Sequence, residues 1–326
     1  MIAPLDWGLG HASRCVPLIK ALSENNTVII GSTLLNRDLF KSYFPSHPQF
    51  ELPSYNIRYS AYAPAWLKIL LQSQSIKAAI AEEQKALQQA VKQHALDVVI
   101  SDNRFGLHHS GTENIFVTHQ LNVQSPVFSR LANRINRNYM HRFNRVWVPD
   151  YEARDQRLSG RLSDADEIKI PVEYIGPQSA LQIIEASDEP KQAIDYLLLL
   201  SGAEPQRSIL ETLLIKKFRD TKYKVVLVRG THTAAPLESG NMQVVNTAYG
   251  VELKQLIVSA HRIVCRSGYS TLMDLHLLGK KELILIPTPG QTEQEYLADY
   301  WHDKFLCTAV KQKHISRMGI GHSPTV

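Results

Sequence analysis

Ile2-Ala3-Pro4-Leu5-Asp6-Trp7-Gly8-Leu9-Gly10-His11-Ala12-Ser13-Arg14 is the stretch that decides the fold, because it passes from a short apolar stub through a loop with two glycines into the helical pattern Val16, Leu18, Ile19, Leu22. A strand that enters a helix through a glycine loop is the opening of a parallel α/β sheet. The theme continues downstream. Residues 27–30 predict a second strand, 96–100 (Leu-Asp-Val-Val-Ile) an apolar strand of the kind buried in a parallel sheet, and 114–117 another. Between them, residues 77–94 are rich in Ala, Gln, Glu and Lys and carry Ile80, Leu87 and Val91 on one stripe, which predicts a helix. After Arg145-Val146-Trp147-Val148-Pro149-Asp150 the chain turns polar, and Tyr174-Ile175-Gly176-Pro177 precedes a fresh start. The second half repeats the alternation, with strands expected at 195–200, 224–228, 242–245, 262–265 and 283–286. The expectation is an α/β protein of two doubly wound Rossmann-like domains, 1–177 and 178–326, facing across a cleft, with ligands beyond the carboxyl ends of the strands.

Composition narrows the function. With 326 residues, 44% hydrophobic and 21% charged, the chain is long enough for two ordinary domains and is not a disordered or low-complexity sequence. Its 36 Lys+Arg against 31 Asp+Glu give a net charge of +5, a mild preference for anionic partners that suits phosphorylated small molecules or an anionic lipid surface and does not call for nucleic acid. Cys15, Cys265 and Cys307 are too scattered for a disulfide framework or a CxxC metal site; they read as small packing residues in a reducing compartment. No apolar run approaches the roughly 18–20 residues of a membrane span, and the N-terminus lacks the basic and apolar regions of a signal peptide, so a cytoplasmic protein is expected, with peripheral membrane contact open.

Three places carry chemistry. Gly8 and Gly10 allow close backbone approach, and the helix after them offers free N–H groups and a positive dipole end to an anion or a polarised hydroxyl. His11 at that helix start can act as a base near neutral pH, and Asp102, ending another parallel strand on the same sheet edge, could orient it; Asp102 also reads as a helix N-cap. His119 and Gln120 end a third strand there and are candidates for substrate contact, His119 reading equally as a core histidine. The densest signal is Arg266-Ser267-Gly268-Tyr269-Ser270-Thr271-Leu272-Met273-Asp274, which follows a strand directly. Gly268 permits close approach, Ser270 and Thr271 can hold phosphate oxygens and Asp274 can accept from ribose hydroxyls, while GxxxxGK[ST] and the full GxGxxG are absent. Ser201-Gly202 is a second possible phosphate contact, and Gln291, Gln294 and Glu295 supply the donors and acceptors that sugar hydroxyls need.

At these residues the sequence resembles a GT-B glycosyltransferase, and its second half is similar to the C-terminal domain of glycosyltransferase family 28. The pattern Gly268-x-x-Thr271-x-x-Asp274, then Pro287, Gln291 and Gln294, resembles that family's nucleotide-sugar signature, and Gly8-x-Gly10-His11 with Asp102 resembles the loop and His–Asp pair of several inverting members. The resemblance implies that Ser270 and Thr271 hold the donor diphosphate, Asp274 the ribose, and Gln291, Gln294 and Glu295 the donor sugar, with His11 as the base. It departs from the family where Asp274 stands for the usual Glu, one methylene longer, and where the first strand is clipped and residues 311–326 show no clear final helix. A shortened chain or a frayed tail would account for both.

The expected activity is an inverting transfer of a sugar from a nucleotide diphosphate donor, UDP-linked by resemblance, to an acceptor hydroxyl, with no cofactor and no metal. Gly8, Gly10, Arg14, His119 and Gln120 are the expected acceptor-side residues. The aromatic and apolar stretch 59–80, with Tyr62, Trp66, Leu67, Ile69, Leu70 and Leu71, reads as a core helix or as a surface for a lipid tail. Arg130, Arg134, Arg137, Arg142 and Arg145 recur near helical spacing, as a solvated face or as a seat for an anionic acceptor or phospholipid headgroup. Rival expectations are a nucleotide-sugar hydrolase, since Gly8-Leu9-Gly10-His11-Ala12-Ser13-Arg14 also resembles the GxGHxxR opening of GT-B-like hydrolases, a nucleotide-sugar epimerase, and a non-catalytic nucleotide-sugar binding module.

Overall fold

The computed structural model describes residues 1–6, 8–54, 73–124, 129–185, 193–231 and 239–321. Trp7 and the part of the aromatic stretch running from 59 to 72 lie outside the described residues. The chain forms two units: one from Met1 to Ile184 that also takes the later segment Tyr269–Leu277, and one made of Glu185–Gly268 and the chain from Leu278 onward.

In the first unit the elements are β1 (Ile2–Pro4), α1 (Leu9–Ser23), β2 (Ile30–Ser32), α2 (Arg37–Tyr43), β3 (Gln49–Glu51), α3 (Ser73–His94), β4 (Val98–Asp102), β5 (Glu113–Val117), α4 (Ser129–Met140), β6 (Arg145–Val148) and β7 (Val172–Tyr174). The sheet order is β3-β2-β1-β4-β5-β6-β7, every pair parallel. Successive strand side chains point to opposite faces. Ile2 and Ile100 accordingly join Val16, Ile19 and Phe40 in one apolar cluster, while Ala3 and Val99 join Leu52 and Leu87 in another. Each of the Val, Leu, Ile and Phe side chains among them, taken from water into the core, contributes about 1.5–3 kcal/mol.

The apolar pattern predicts the second strand at 27–30, but it lies at Ile30–Ser32, all three residues buried. Gly31 explains the offset: a Cβ there would come within 2.7 Å of both Ala3 Cβ and Leu52 Cδ1, so the strand flanked by β1 and β3 needs a residue that no hydrophobicity scale marks. The register Pro4↔Asp102↔Val117 brings the ends of β1, β4 and β5 level with one another. The chain reverses its winding between β1 and β4, which is where an open α/β sheet opens a crevice.

The second unit contains β8 (Ile194–Leu199), α5 (Gln206–Phe218), β9 (Val225–Val228), β10 (Gln243–Val245), α6 (Gly250–Ser259), β11 (Ala260–Cys265), β12 (Leu283–Leu285), α8 (Thr292–Phe305) and β13 (Thr308–Ala309); α7 (Tyr269–Leu277), between β11 and β12 in sequence, is the segment grouped with the first unit. Its sheet runs β10-β9-β8-β11-β12-β13, again all parallel, with the winding reversal between β8 and β11. Leu198, Leu210, Phe218, Val264 and Ile286 form its core, to which Ile315 and Met318 add from the C-terminal end. There the chain makes a 3-10 turn at Gln312–Arg317, where Lys217 Nζ donates to the carbonyl of Ser316 (3.0 Å). Among the described residues no helix is long and apolar enough to cross a membrane.

Candidate active site

The loop between β1 and α1 turns at Gly8, whose φ of +99° favours glycine, and a Cβ on Gly8 would meet nothing within 4 Å, so the conformation rather than crowding sets the requirement. His11 sits in the first turn of α1, and its Nδ1 lies 2.8 Å from Asp102 Oδ1 at the end of β4. This is the pair expected from sequence, and it is part of a larger cluster. Arg14, one turn along the same face of α1, donates from Nε to Asp102 Oδ2 (2.5 Å) and from Nη2 to Asp102 Oδ1. Its Nη2 also lies 2.9 Å from His11 Nδ1 and its Nη1 3.2 Å from His119 Nδ1. Arg14 and Asp102 are 1% and 0% exposed, whereas the His11 side chain keeps 19% of its surface open. Arg14 is thus turned to Asp102 and the two imidazoles.

Burial and then the Arg14 cation hold His11 below its usual value, against the pull of Asp102 in the other direction. Burial alone would raise Asp102, but Arg14 and His11 outweigh it and hold the carboxylate ionised, well below the usual range. The imidazole is therefore neutral at neutral pH beside a fixed anion, the state a general base requires.

Helix α7 packs within the same unit. The ring of Tyr269 stacks on His119 at 4.1 Å and 14°, and its hydroxyl donates to the carbonyl of Pro149 (2.8 Å). A Cβ on Gly10 would come within 2.9 Å of Ser270 Oγ, so Gly10 lets α1 and α7 approach each other. Asp274 is partly buried and accepts a hydrogen bond from Ser179 Oγ; burial pushes its carboxyl up to about 7, against the effect of that bond. Ser270 and Thr271 stand in the first turn of α7, partly exposed, and that turn holds no acidic residue to occupy the positive end of the helix. Gln120 is half-buried next to His119; its carbonyl accepts from Asn136 Nδ2 (3.2 Å).

The remaining expected donor residues gather at the carboxyl edge of the second sheet, after the adjacent strands β8, β11 and β12. Gly202, with φ +101°, and Gly268 each face open space for a Cβ, leaving the backbone N–H groups at these turns uncrowded, and Ser201 is half-buried beside them. Gln291 precedes α8; Gln294 Oε1 accepts from the N–H of Thr288 (2.9 Å) and Glu295 Oε1 from the N–H of Gly290 (3.1 Å), so two of the three shape the turn between β12 and α8. Beneath this edge Arg266, 1% exposed, donates to the carbonyls of Ile286 and Pro287 (3.1 Å each) and of Gln206 (2.9 Å) and to Gln312 Oε1 (2.8 Å), tying the three loops together. Burial lowers this guanidinium to about 10.

The arginine run divides. Arg130, Arg134 and Arg137 lie on α4, where Leu131 and Ile135 are exposed; Arg137 pairs with Glu167, Arg142 covers the Tyr139 ring at 4.9 Å, and Arg145 is on β6, bonded to Glu113 (3.0 Å) and Glu173 (2.7 Å). Sequence reasoning missed the hold of Arg14 on Asp102, although the i,i+3 spacing of His11 and Arg14 signals it, and missed Ser179 and Arg266 as supports, for which no local signal exists. It also passed over Asp6, 6% exposed, whose carboxylate oxygens make no hydrogen bond among the described residues and lie 4.0 Å from the guanidinium of Arg104. Among the described residues no group of three or more His, Cys, Asp or Glu is arranged to hold a metal ion.

Residues 196–320 match the glycosyltransferase family 28 C-terminal domain. No curated protein matches the chain. Among solved structures, the chain is similar over 96% of its length to 86% of the glycosyltransferase of kitacinnamycin (TM-score 0.67, 14% identity). It is likewise similar over 97% of its length to 87% of Arabidopsis thaliana UGT89C1 complexed with UDP-L-rhamnose (TM-score 0.60, 12% identity) and to 88% of Acinetobacter baumannii MurG (TM-score 0.55, 12% identity). At such identities these likenesses establish the fold, two parallel-sheet Rossmann-like halves of the GT-B type.

Proposed function

We propose that this chain, a GT-B protein whose residues 196–320 are a glycosyltransferase family 28 C-terminal domain, moves a sugar from a nucleotide diphosphate donor to an acceptor hydroxyl with inversion at C1 and without a metal ion. The observation that carries the reading is the contact of His11 Nδ1 with Asp102 Oδ1 (2.8 Å) at the level ends of β1 and β4, where the winding of the sheet reverses. The acceptor hydroxyl gives its proton to His11 Nε2 while its oxygen bonds to C1, and the C1–O bond to the diphosphate breaks with its electron pair leaving on the diphosphate. A single displacement of this kind inverts C1.

The departing diphosphate is taken by the N–H groups at the start of α7 and by Ser270 and Thr271, with Ser201, Gly202 and Gly268 as further phosphate contacts. Asp274 takes the ribose, and Gln291, Gln294 and Glu295 the sugar. Gly8, Gly10, His119 and Gln120 line the acceptor side, with Arg14 behind them. UDP is the first donor to try, since a structural relative is complexed with UDP-L-rhamnose. Exposed Leu131 and Ile135 beside Arg130 and Arg134 support an acceptor that is lipid-linked or part of the cell envelope, reached by peripheral contact at the cytoplasmic face of a membrane.

Thermal unfolding against UDP, GDP, dTDP and CDP, with and without Mg²⁺, tests the donor half. A ligand at about 100 times its Kd adds roughly 2.7 kcal/mol. One diphosphate is expected to raise the melting temperature equally with and without the metal, and Thr271→Ala and Asp274→Ala are expected to lose that rise; no rise with any of the four would defeat the donor assignment. The same base could activate water, and sugar release without acceptor as fast as any transfer would establish a nucleotide-sugar hydrolase instead.

A further inference from the structure

We propose that Arg14 is a positioning residue: it fixes Asp102 against His11 Nδ1 and holds His119 in the opposite tautomer, so that His11 meets the acceptor with a bare Nε2. For its catalytic consequence this rests on the transferase reading above. The geometry stands without it.

A guanidinium only donates hydrogen bonds and an ionised carboxylate only accepts them. Arg14 forks onto Asp102, Nε to Oδ2 (2.5 Å) and Nη2 to Oδ1, which takes its in-plane protons and fixes the carboxylate plane. His11 Nδ1 lies 2.8 Å from Oδ1 and 2.9 Å from Nη2. Nδ1 thus faces an acceptor and a donor; Nη2 commits its proton to Oδ1, its nearer contact, and an unprotonated Nδ1 would set a lone pair against that carboxylate oxygen, so Nδ1 donates to Oδ1 and Nε2 is bare. The other terminal nitrogen of Arg14, Nη1, lies 3.2 Å from His119 Nδ1. Nη1 can only donate, so His119 Nδ1 accepts and its proton resides on Nε2. One buried side chain thus sets two histidines in opposite tautomers.

The groups facing His11 are Arg14 from its own helix, Asp102 from β4 and His119 from the loop after β5, with Tyr269 of α7 stacked on His119 and Asp150 beyond that tyrosine. Only Asp102 pulls His11 toward the protonated form, and burial first and then Arg14 oppose it, so the base stays neutral although an anion touches it.

Nitrogen-15 chemical shifts of the two imidazoles in the whole protein at pH 8, assigned with His11→Gln and His119→Gln, read the tautomers without any substrate. Nδ1–H is expected for His11 and Nε2–H for His119; Nε2–H on His11 or Nδ1–H on His119 overturns the proposal. Arg14→Met is expected to raise the His11 titration midpoint by about one pH unit or more, because the cation beside it is gone and only burial is left to oppose Asp102, and to mix the tautomers of His119. Arg14→Lys, which keeps the charge, is expected to keep most of the depression. An unchanged midpoint in Arg14→Met overturns the proposal, and if that variant does not fold, the wild-type shifts and Arg14→Lys decide. The acid limb of the turnover profile should move with the midpoint, which a merely structural arginine would not produce. Correct tautomers without transfer would defeat the transferase reading and leave Arg14 as described; transfer with the wrong tautomers would do the reverse.

Discussion

Each unit buries a cluster of ions, and the two clusters are built for different ends. In the first, Asp102 is gripped by Arg14 and shares that grip with His11 and, through the guanidinium, with His119. In the second, Glu211 on α5 accepts from Arg229 Nε and Nη2 (2.8 Å each) and from Arg207 Nη1 (2.7 Å), while Arg207 also donates to Glu204 (2.5 Å) and to the carbonyl of Arg229 (3.1 Å). Glu211, Arg207 and Arg229 are each 6% exposed, while Glu204 lies at the surface. It is made of arginines and carboxylates, groups whose ordinary charge does not change near neutral pH. The first cluster differs by an imidazole with part of its ring open to solvent. A buried ion cluster is by itself an expensive structural element; a group that can gain and lose a proton at working pH turns one into a site.

The comparison breaks if the second cluster behaves like the first. Glu211→Gln takes from Arg229 and Arg207 the carboxylate they share and is expected to cost about 3–5 kcal/mol in chemical denaturation while the donor-induced rise in melting temperature persists. Burial would raise Glu211, but the bonds from Arg229 and Arg207 outweigh it and depress the carboxyl. Its contribution is therefore present above the unfolded value near pH 4 and lost as pH falls through the lower folded value. Unchanged stability with abolished turnover would assign chemistry to the wrong cluster.

A smaller effect sharpens the boundary of the first cluster. Asp274 is raised by burial to about 7 in the folded protein, against about 4 unfolded. A raised carboxyl stabilises the fold below the unfolded value, and that contribution is lost as pH rises toward the folded value. Stability should fall by on the order of 3 kcal/mol between about pH 4 and 7, and Asp274→Asn should remove that slope. A slope unchanged in Asp274→Asn would place the titrating group elsewhere.

The sequence makes the framework legible where strands are apolar runs: β5, β8, β9, β10, β11 and β12 lie where the runs predict them, and β4 lies two residues beyond its expected 96–100. β3 and β7 escape because edge strands are half-exposed and polar, as Gln49–Glu51 and Val172–Tyr174 are. β2 is displaced because Gly31 and Ser32 are buried for reasons of space. The meeting of His11 with Asp102 is legible from two strand ends on one parallel sheet. The rest of the cluster depends on where a long side chain turns: Arg14, Arg104 and Arg266 read as surface residues by type and are among the largest fully buried side chains. Asp274 reads as a ribose contact by its place in the motif, whereas its bond to Ser179 joins residues 95 apart in sequence.

The most direct test of the contrast is single-turnover sugar transfer from the donor that shifts the melting temperature, comparing wild type with His11→Gln. His11→Gln is expected to lose at least about 100-fold in the chemical step, in line with the usual contribution of a general base, while keeping the donor-induced rise in melting temperature. Transfer at the wild-type rate by a folded, donor-binding His11→Gln protein would contradict the assignment of the first cluster as the catalytic one.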